Sequence, residues 1–344
     1  MVRIILKEAN TSIFSRLIGK SIINISTIDT GVMNYVYRAC ASDGSVYYLK
    51  QALKDAKNKS ELSKDLVLVN KNRIESEYRS ITTLKSYFRN RNLFTLPDIV
   101  SFDKPNSILI TRDLGANGLL QKDMESGIFN ADVARNIGNY IAYQHSTTFN
   151  KNIIIRKTLA KEIKHWNFFL SLRTKSLLKN TALLDLKKEI GNVYEDGVAH
   201  TNKLLVHMDF CPKNILYTLE KNVAVVDFEF SSGVGDPAYD LGFMIGHYML
   251  FALISAQKDL AVDSMFRIYN HYSKNVRGFA FSIDIEKRIW KYAGCTLLYR
   301  IMGASPASYI KTQYVNSIIK AGRQLLKQDP INEKSIKEIV KLRP

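Results

Sequence analysis

The first third of the chain alternates between apolar and polar positions. Three short runs rich in β-branched and aromatic residues, Ile22 to Ile28, Tyr35 to Cys40 and Val46 to Leu53, read as strands. Turn signals separate them at Asp29-Thr30-Gly31 and at Ser42-Asp43-Gly44, the second placed to close a hairpin. Residues 55–66 are charged and aperiodic, which predicts a loop or an irregular helix. From 69 to 88 the period becomes helical, with Ile74, Tyr78, Ile81, Leu84 and Phe88 on one face. Asp98 to Phe102 and Ser107 to Thr111 return to strand spacing.

The remainder is mainly helical. Helices are predicted at Ala131 to Thr147, Ile163 to Leu172, Asp240 to Ser255, Asp259 to Lys274, Ile285 to Ile301 and Ser308 to Lys327. A β-rich interruption at Leu204 to Phe230 divides them. The break between the two regimes falls near 111–118, where Asp113, Gly115, Asn117 and Gly118 cluster. The expectation is an α+β chain of two lobes, residues 1–114 with an antiparallel sheet plus a helix, and a larger, mainly helical lobe of residues 115–344. No internal repeat or low-complexity segment stands out.

Composition narrows the function classes. With 344 residues, 46% apolar and 24% charged, the chain can bury two cores. Cys40, Cys211 and Cys295 are too few and too scattered for a disulfide framework or a zinc site, so a reducing cytoplasm is expected. Arg3, Lys7 and Glu8 precede any long apolar run, against a signal peptide. The most apolar stretch, Leu241 to Ala256, is short for a membrane span and contains His247, so it reads as a buried helix. The net charge of +17 suits anionic partners. Its lysines are dispersed, however, from Lys54 to Lys71 and again from Lys320 to Lys341, with no arginine-rich block and no RNA-binding aromatic signature. A solvated basic surface accounts for them better than a nucleic-acid interface does.

The sharpest chemical signal is His207-Met208-Asp209-Phe210-Cys211-Pro212-Lys213-Asn214, an H-x-D-x-x-x-x-N pattern with the layout of a kinase catalytic loop. Phosphoryl transfer needs a carboxylate beside the attacking hydroxyl and oxygen ligands that place magnesium against the phosphates. Asp209 is the catalytic candidate and Asn214 a metal ligand. Eighteen residues on, the apolar run Val223 to Val226 ends in Asp227, a second metal ligand carried on a rigid strand, with Glu229 as a further ligand or water-holder. Each acid alone is more often an ordinary turn residue; together, at this spacing, they point to ATP and Mg2+. His207 reads as a structural brace, Cys211 as inert, and Asp236 and Asp240 as helix-capping or loop-bracing acids.

These motifs, with Gly235-Asp236-Pro237-Ala238-Tyr239-Asp240-Leu241-Gly242, resemble the aminoglycoside phosphotransferase and choline kinase superfamily of the protein-kinase-like fold. The resemblance implies that Lys50, on a strand after the hairpin, grips the nucleotide phosphates and pairs with a helical glutamate. Glu75 and Glu77 are the candidates, Glu77 preferred by its spacing to Ile81 and Leu84. It places Gly31 and Asn34 in the phosphate-covering loop, and Thr111, Asp113 and Leu114 at the adenine hinge. Within the superfamily the chain looks most similar to 5-methylthioribose kinase, through Lys50-Gln51-Ala52-Leu53, Arg73-Ile74-Glu75-Ser76-Glu77 and Ala293 to Gly303. That branch uses an arginine pair near the last segment; here Tyr299 and Arg300 occupy it as substrate-binding candidates. The branch's Trp-bearing loop has no counterpart at Lys59 to Ser63.

The expectation is therefore a small-molecule kinase that moves the γ-phosphoryl group of ATP to a hydroxyl of a small polar metabolite, with a thio-sugar such as methylthioribose among the acceptors. An aminoglycoside phosphotransferase would need an acidic pocket for a polycation, for which Asp259, Asp263, Asp284 and Glu286 are candidates. A choline kinase would need an aromatic cage, and none is identifiable. A pseudokinase that only binds a partner is the non-enzymatic alternative. Oligomeric state stays open, a homodimer included.

Overall fold

Alternation along the strands decides which way the N-terminal sheet faces. The structure, a computed structural model, describes residues 5–6, 10–28, 34–52, 72–88, 94–304, 306–328 and 332–341. The expected turn at 29–31, the charged stretch 55–66 and the start of the expected 69–88 helix lie outside these residues. Helix α1 (Thr11–Ile18) leads into strands β1 (Ile22–Ile28), β2 (Tyr35–Ala41) and β3 (Val46–Gln51). Helix α2 (Arg73–Tyr87) and strands β4 (Phe94–Thr95), β5 (Ile99–Asp103) and β6 (Ile108–Arg112) follow. An antiparallel sheet runs in the order β1-β2-β3-β6-β5. Gly44, at φ 83°, supplies the left-handed residue of the β2–β3 turn.

Tyr47 and Leu49 of β3 and Ile108 and Ile110 of β6 pack on Phe14 of α1. Successive strand residues point to opposite faces, so Lys50 and Leu109 are turned to the other side. There Leu109 joins Ile74, Ile81 and Leu84 of α2. The apolar face toward α1 is thus what aims Lys50 at α2.

The chain continues through β7 (Gly118–Leu119), α3 (Leu120–Glu125), α4 (Ala131–Thr148), α5 (Leu159–Arg173) and α6 (Lys187–Ala199). Next come β8 (Asn202–Val206), β9 (Ile215–Tyr217), β10 (Val223–Val225) and β11 (Ser232–Gly235). Helices α7 (Ala238–Ile254), α8 (Lys258–Asn275), α9 (Ile283–Met302), α10 (Val315–Lys327) and α11 (Glu333–Val340) complete it. This is the expected α+β arrangement of a sheet-bearing N-terminal region and a helical C-terminal region. Two differences stand out. Helices α1, α3, α6 and α11 were not expected, and α10 starts at Val315 instead of Ser308. The residues before it are drawn onto α7, where Tyr309 stacks on Phe251 with ring centroids 5.3 Å apart.

Helix α7 organises the helical region. Every residue from Ala238 to Leu253 is buried, as its all-round apolar sequence requires. Among the described residues no helix is long and apolar enough to cross a membrane. Helix α9 comes close because α7 carries glycine where they meet: a Cβ at Gly242 would lie 2.6 Å from the Ile289 carbonyl oxygen. Asp236 fixes the same junction. Its carboxylate accepts from Arg288 Nε at 2.7 Å, Tyr292 Oη at 3.0 Å and the Ala238 amide at 3.0 Å. Removing one partner of a buried ion pair leaves the other charge without compensation. Asp236→Ala should therefore lower the unfolding free energy by about 3–5 kcal/mol, read from urea denaturation.

Candidate active site

The loop after β8 is held by the helix that follows it in space. Asp240, in the first turn of α7, accepts from the His207 amide at 2.7 Å and the Met208 amide at 3.0 Å. Met208 adopts φ 68°, unusual for a side-chain-bearing residue, and those two bonds hold it there. His207 is buried, and burial lowers its pKa, which keeps it neutral. Its Nδ1 accepts from the Asp209 amide at 3.2 Å, which leaves Nε2 to donate to the Val226 carbonyl at 3.1 Å. This imidazole ties the 207–214 loop to the strand that delivers Asp227. Asn214 Nδ2 donates to the Asp209 carbonyl at 2.9 Å and to Asp209 Oδ2 at 3.0 Å.

Two cations grip Asp209. Arg173, the last residue of α5, lies 2.8 Å from Oδ1, and Lys213 Nζ lies 3.0 Å from Oδ2. Arg173 also donates to the Met208 carbonyl and to Tyr239 Oη, and its guanidinium sits 4.2 Å from the centre of the Phe243 ring. Burial pushes the Asp209 carboxyl up, but Lys213 and Arg173 outweigh it and hold the group below the ordinary carboxylate range. Sequence reasoning missed both cations. Lys213 stood inside the quoted motif; Arg173 lies 36 positions upstream with no local signature.

A second cluster forms around Lys50. Its Nζ contacts Asp227 Oδ1 and lies 2.7 Å from Glu77 Oε2. Glu75 turns away, to Arg79 at 2.7 Å and Lys104 at 3.0 Å. Burial opposes the charge on Lys50, but Asp227, Glu229 and Glu77 raise its pKa regardless. Asp227 follows β10 at φ 68° and ψ 53°, a left-handed kink that ends the strand direction at the carboxylate.

Glu229 and Asn34 meet beside the Lys50 cluster. Glu229 Oε2 accepts from Asn34 Nδ2 at 2.7 Å, lies 3.2 Å from Arg73 Nε and is 3.9 Å from Lys50. Arg73 Nε also donates to Asn34 Oδ1 at 2.9 Å. The candidate metal ligand and the loop residue of the sequence reading are joined in a buried polar knot with the first residue of α2. The reason is electrostatic: a carboxylate this buried takes the nearest guanidinium.

The expected hinge is partly consumed by the sheet. Thr111 pairs with Tyr48 and Ile99, and the Asp113 amide donates to the Val46 carbonyl at 3.0 Å, which extends the β3–β6 ladder. Leu114 follows, half-buried, at the end of the strand. Gly31 lies outside the described residues. Tyr299 is buried on α9, and burial raises its pKa against the pull of Arg173 and Arg300, while Asp209 reinforces the rise. Arg300, half-buried, follows it on the same helix. Cys211 is buried, and its thiol is pushed up to about 12, which keeps it unreactive.

The oxygen donors suit a hard divalent cation shared with phosphates. Among the described residues no three or more His, Cys, Asp and Glu side chains converge as a metal site. What is present is the Asp227 carboxylate and the amide oxygen of Asn214, whose amide nitrogen is committed to Asp209. So small a protein set is what a magnesium ion that keeps waters and phosphate oxygens requires.

Residues 126–271, from the end of α3 through most of α8, match the sequence profile of the phosphotransferase enzyme family, APH. Through that segment, less than half of the chain, the sequence is similar to this phosphotransferase family. The match contains Asp209, Asn214, Asp227 and Asp240. The enzyme class is a small-molecule phosphotransferase. Among solved structures the phosphotransferase is similar to a type I macrolide 2'-phosphotransferase, at 12% identity over 94% of this chain and 99% of the other, with a TM-score of 0.51. It is similar to a candidate fructosamine-3-kinase from Thermobifida fusca, at 14% identity over 92% and 98%, with a TM-score of 0.50. A macrolide 2'-phosphotransferase from Brachybacterium faecium gives 18% identity over 93% and 98%, with a TM-score of 0.47. At such identities the likeness of the first two is one of fold. No curated protein sequence matches.

The lowered pKa of Asp209 has a consequence for acid stability. A carboxyl depressed in the folded state contributes stability that is present above its unfolded value of about 3.9 and lost as pH falls through the folded value. In acid titrations followed by denaturant unfolding, Asp209→Asn should lose stability less steeply than the native protein below about pH 4.

Proposed function

We propose that this phosphotransferase moves the γ-phosphoryl group of ATP to a hydroxyl of a small polar metabolite, with residues 1–114 and 115–344 as its two lobes. The supporting observation is the meeting of two opposed clusters. Lys50 stands between Glu77 and Asp227, while Asp209 stands between Lys213 and Arg173 and is joined to Asn214.

In this reading Lys50, oriented by Glu77, binds the nucleotide phosphates. Asn214 and Asp227 hold Mg2+, which when bound offsets phosphate charge. Asp209 accepts a hydrogen bond from the acceptor hydroxyl. The new bond joins that oxygen to the γ-phosphorus, the bond to the β–γ bridging oxygen breaks, and the hydroxyl proton passes to Asp209; the products are ADP and a phosphate ester. Two cations make Asp209 a weak base, so its main contribution is to position the hydroxyl, which suits a transfer with little bond formation before the phosphoryl departs. Lys213, whose side chain is 54% exposed, is free to face the moving phosphoryl group as well as Asp209. Glu229 serves as a brace between Arg73 and Asn34.

The cations around Asp209 also bear on the acceptor. Arg173 and Lys213 touch it, and Arg300 lies near enough to act on its neighbour Cys211. Such surroundings repel a polycation and favour a neutral or anionic acceptor, methylthioribose among the neutral ones. ATP consumption should be screened with methylthioribose, hexoses, homoserine, choline and an aminoglycoside. We expect turnover with a neutral or zwitterionic hydroxyl compound and none with the last two. Asp209→Asn should cut turnover by about 10²–10⁴-fold with nucleotide affinity retained. Undiminished turnover in Asp209→Asn, or salt-sensitive nucleic-acid binding with no ATP consumption across the panel, would overturn the reading.

A further inference from the structure

Behind the Lys50 cluster lies a cavity of about 330 Å³, between the N-terminal turn of α2 and the segment that enters α5. That volume accommodates a small organic anion. Its walls carry five cations, Arg73, Arg79, Arg156, Lys157 and Lys161, against two carboxylates, Glu75 and Glu229. Both carboxylates are already matched: Glu229 by Arg73, Glu75 by Arg79 and by Lys104 from outside the cavity. Arg156 has Glu162 at 3.5 Å, but that carboxylate also accepts from the Gly233 amide at 3.0 Å and Ser232 Oγ at 3.2 Å. Burial lowers the Arg156 pKa to about 10 despite Glu162, the sign of a cation short of countercharge. Lys157 and Lys161 are exposed, and among the described residues neither forms an ion pair with a carboxylate. His165 is held neutral by burial and by Arg156, and accepts no share of this charge.

The local backbone is shaped to present these groups. The Thr158 amide donates to the Arg156 carbonyl at 2.8 Å, closing a three-residue turn with Lys157 at φ 67°. A lysine rarely takes that conformation, and strained residues gather at functional sites. The turn sends Arg156 inward, where it donates to the Ser231 carbonyl, and leaves Lys157 and Lys161 at the rim.

This cavity is not the place of phosphoryl transfer. Lys161 and Arg173 stand twelve residues apart on α5, about 18 Å along a helix, and Arg173 is the residue that touches Asp209. Yet the cavity reaches the Lys50 cluster by one short path. Arg73 lines it, pairs with Glu229, and Glu229 lies 3.9 Å from Lys50; Arg73 also begins the helix that carries Glu77.

We infer that this cavity binds a small phosphate-bearing anion, and that its occupancy is coupled through Arg73 and Glu229 to nucleotide binding at Lys50. An added anion would share Arg73 with Glu229 and shift the balance of charge at Lys50. The binding half stands independently of the proposed reaction; the coupling half rests on Lys50 as a nucleotide ligand.

The test uses the full chain with its nucleotide site saturated by a non-hydrolysable ATP analogue and magnesium. Inorganic phosphate and pyrophosphate are titrated by calorimetry, with sodium sulfate and sodium chloride as controls. We expect saturable binding, weakened by salt, that the double variant Lys157→Glu, Lys161→Glu weakens by at least about tenfold at an unchanged melting temperature. Each substitution alone should weaken it less, and serves if the double variant folds poorly. In the reciprocal titration, pyrophosphate-free and phosphate-saturated native protein should differ in affinity for the ATP analogue, and the double variant should not. Absence of saturable phosphate or pyrophosphate binding, equal binding of chloride, or binding that survives both substitutions overturns the site. Phosphate binding with no change in analogue affinity overturns the coupling alone. Analogue affinity lost on Lys50→Met but unaffected by phosphate separates that failure from a failure of the proposed reaction.

Discussion

The structure turns on the carboxylate of Asp240. By accepting two successive backbone amides of the 207–214 loop, it converts a flexible connection into a fixed platform with Met208 in a left-handed conformation. Those amides point into a buried interior, where an unmatched donor is costly, so the loop has little alternative. Because Asp240 belongs to α7, the platform inherits the rigidity of a helix enclosed on every side. His207 then carries the constraint onward to Val226 and so to Asp227. One helix therefore positions both acidic parts of the site.

Charge, not shape, distinguishes the two halves of that site. Around Lys50 three carboxylates converge on one ammonium, with Arg73 behind them. Around Asp209 one carboxylate meets two cations. Each half is unbalanced in the opposite sense. Excess negative charge suits the halves that would receive a metal ion, and excess positive charge suits the place where a phosphoryl group would change hands.

Much of this was legible in the residues, for physical reasons that differ by element. Strands β2 and β3 and helix α2 carry strong periods and were read within a few residues. The 207–214 motif was legible because its chemistry demands residue types at short fixed intervals. Arg173 was not, because a side chain that reaches a site from the end of a distant helix leaves no trace in local spacing. The partner of Lys50 among Glu75 and Glu77 needed the helix phase, which two residues can decide only in three dimensions. The partners of Glu229 were hidden for the same reason: its place two positions from Asp227 carries no sign of its pairing with Arg73 and Asn34. The short elements β4, β7 and β11 lack period altogether and exist because neighbouring strands offer them hydrogen bonds.

Arg173 has a bearing on how such a protein can diversify. It is rooted in α5, a helix outside the loops that carry Asp209 and Asp227, yet together with Lys213 it lowers the pKa of Asp209, and it lies over the ring of Phe243 of α7. A change that moved the C-terminal end of α5 would therefore alter the basicity of that carboxylate. In this architecture a helix remote in sequence and the loop that bears Asp209 cannot be altered independently, because one guanidinium belongs to both.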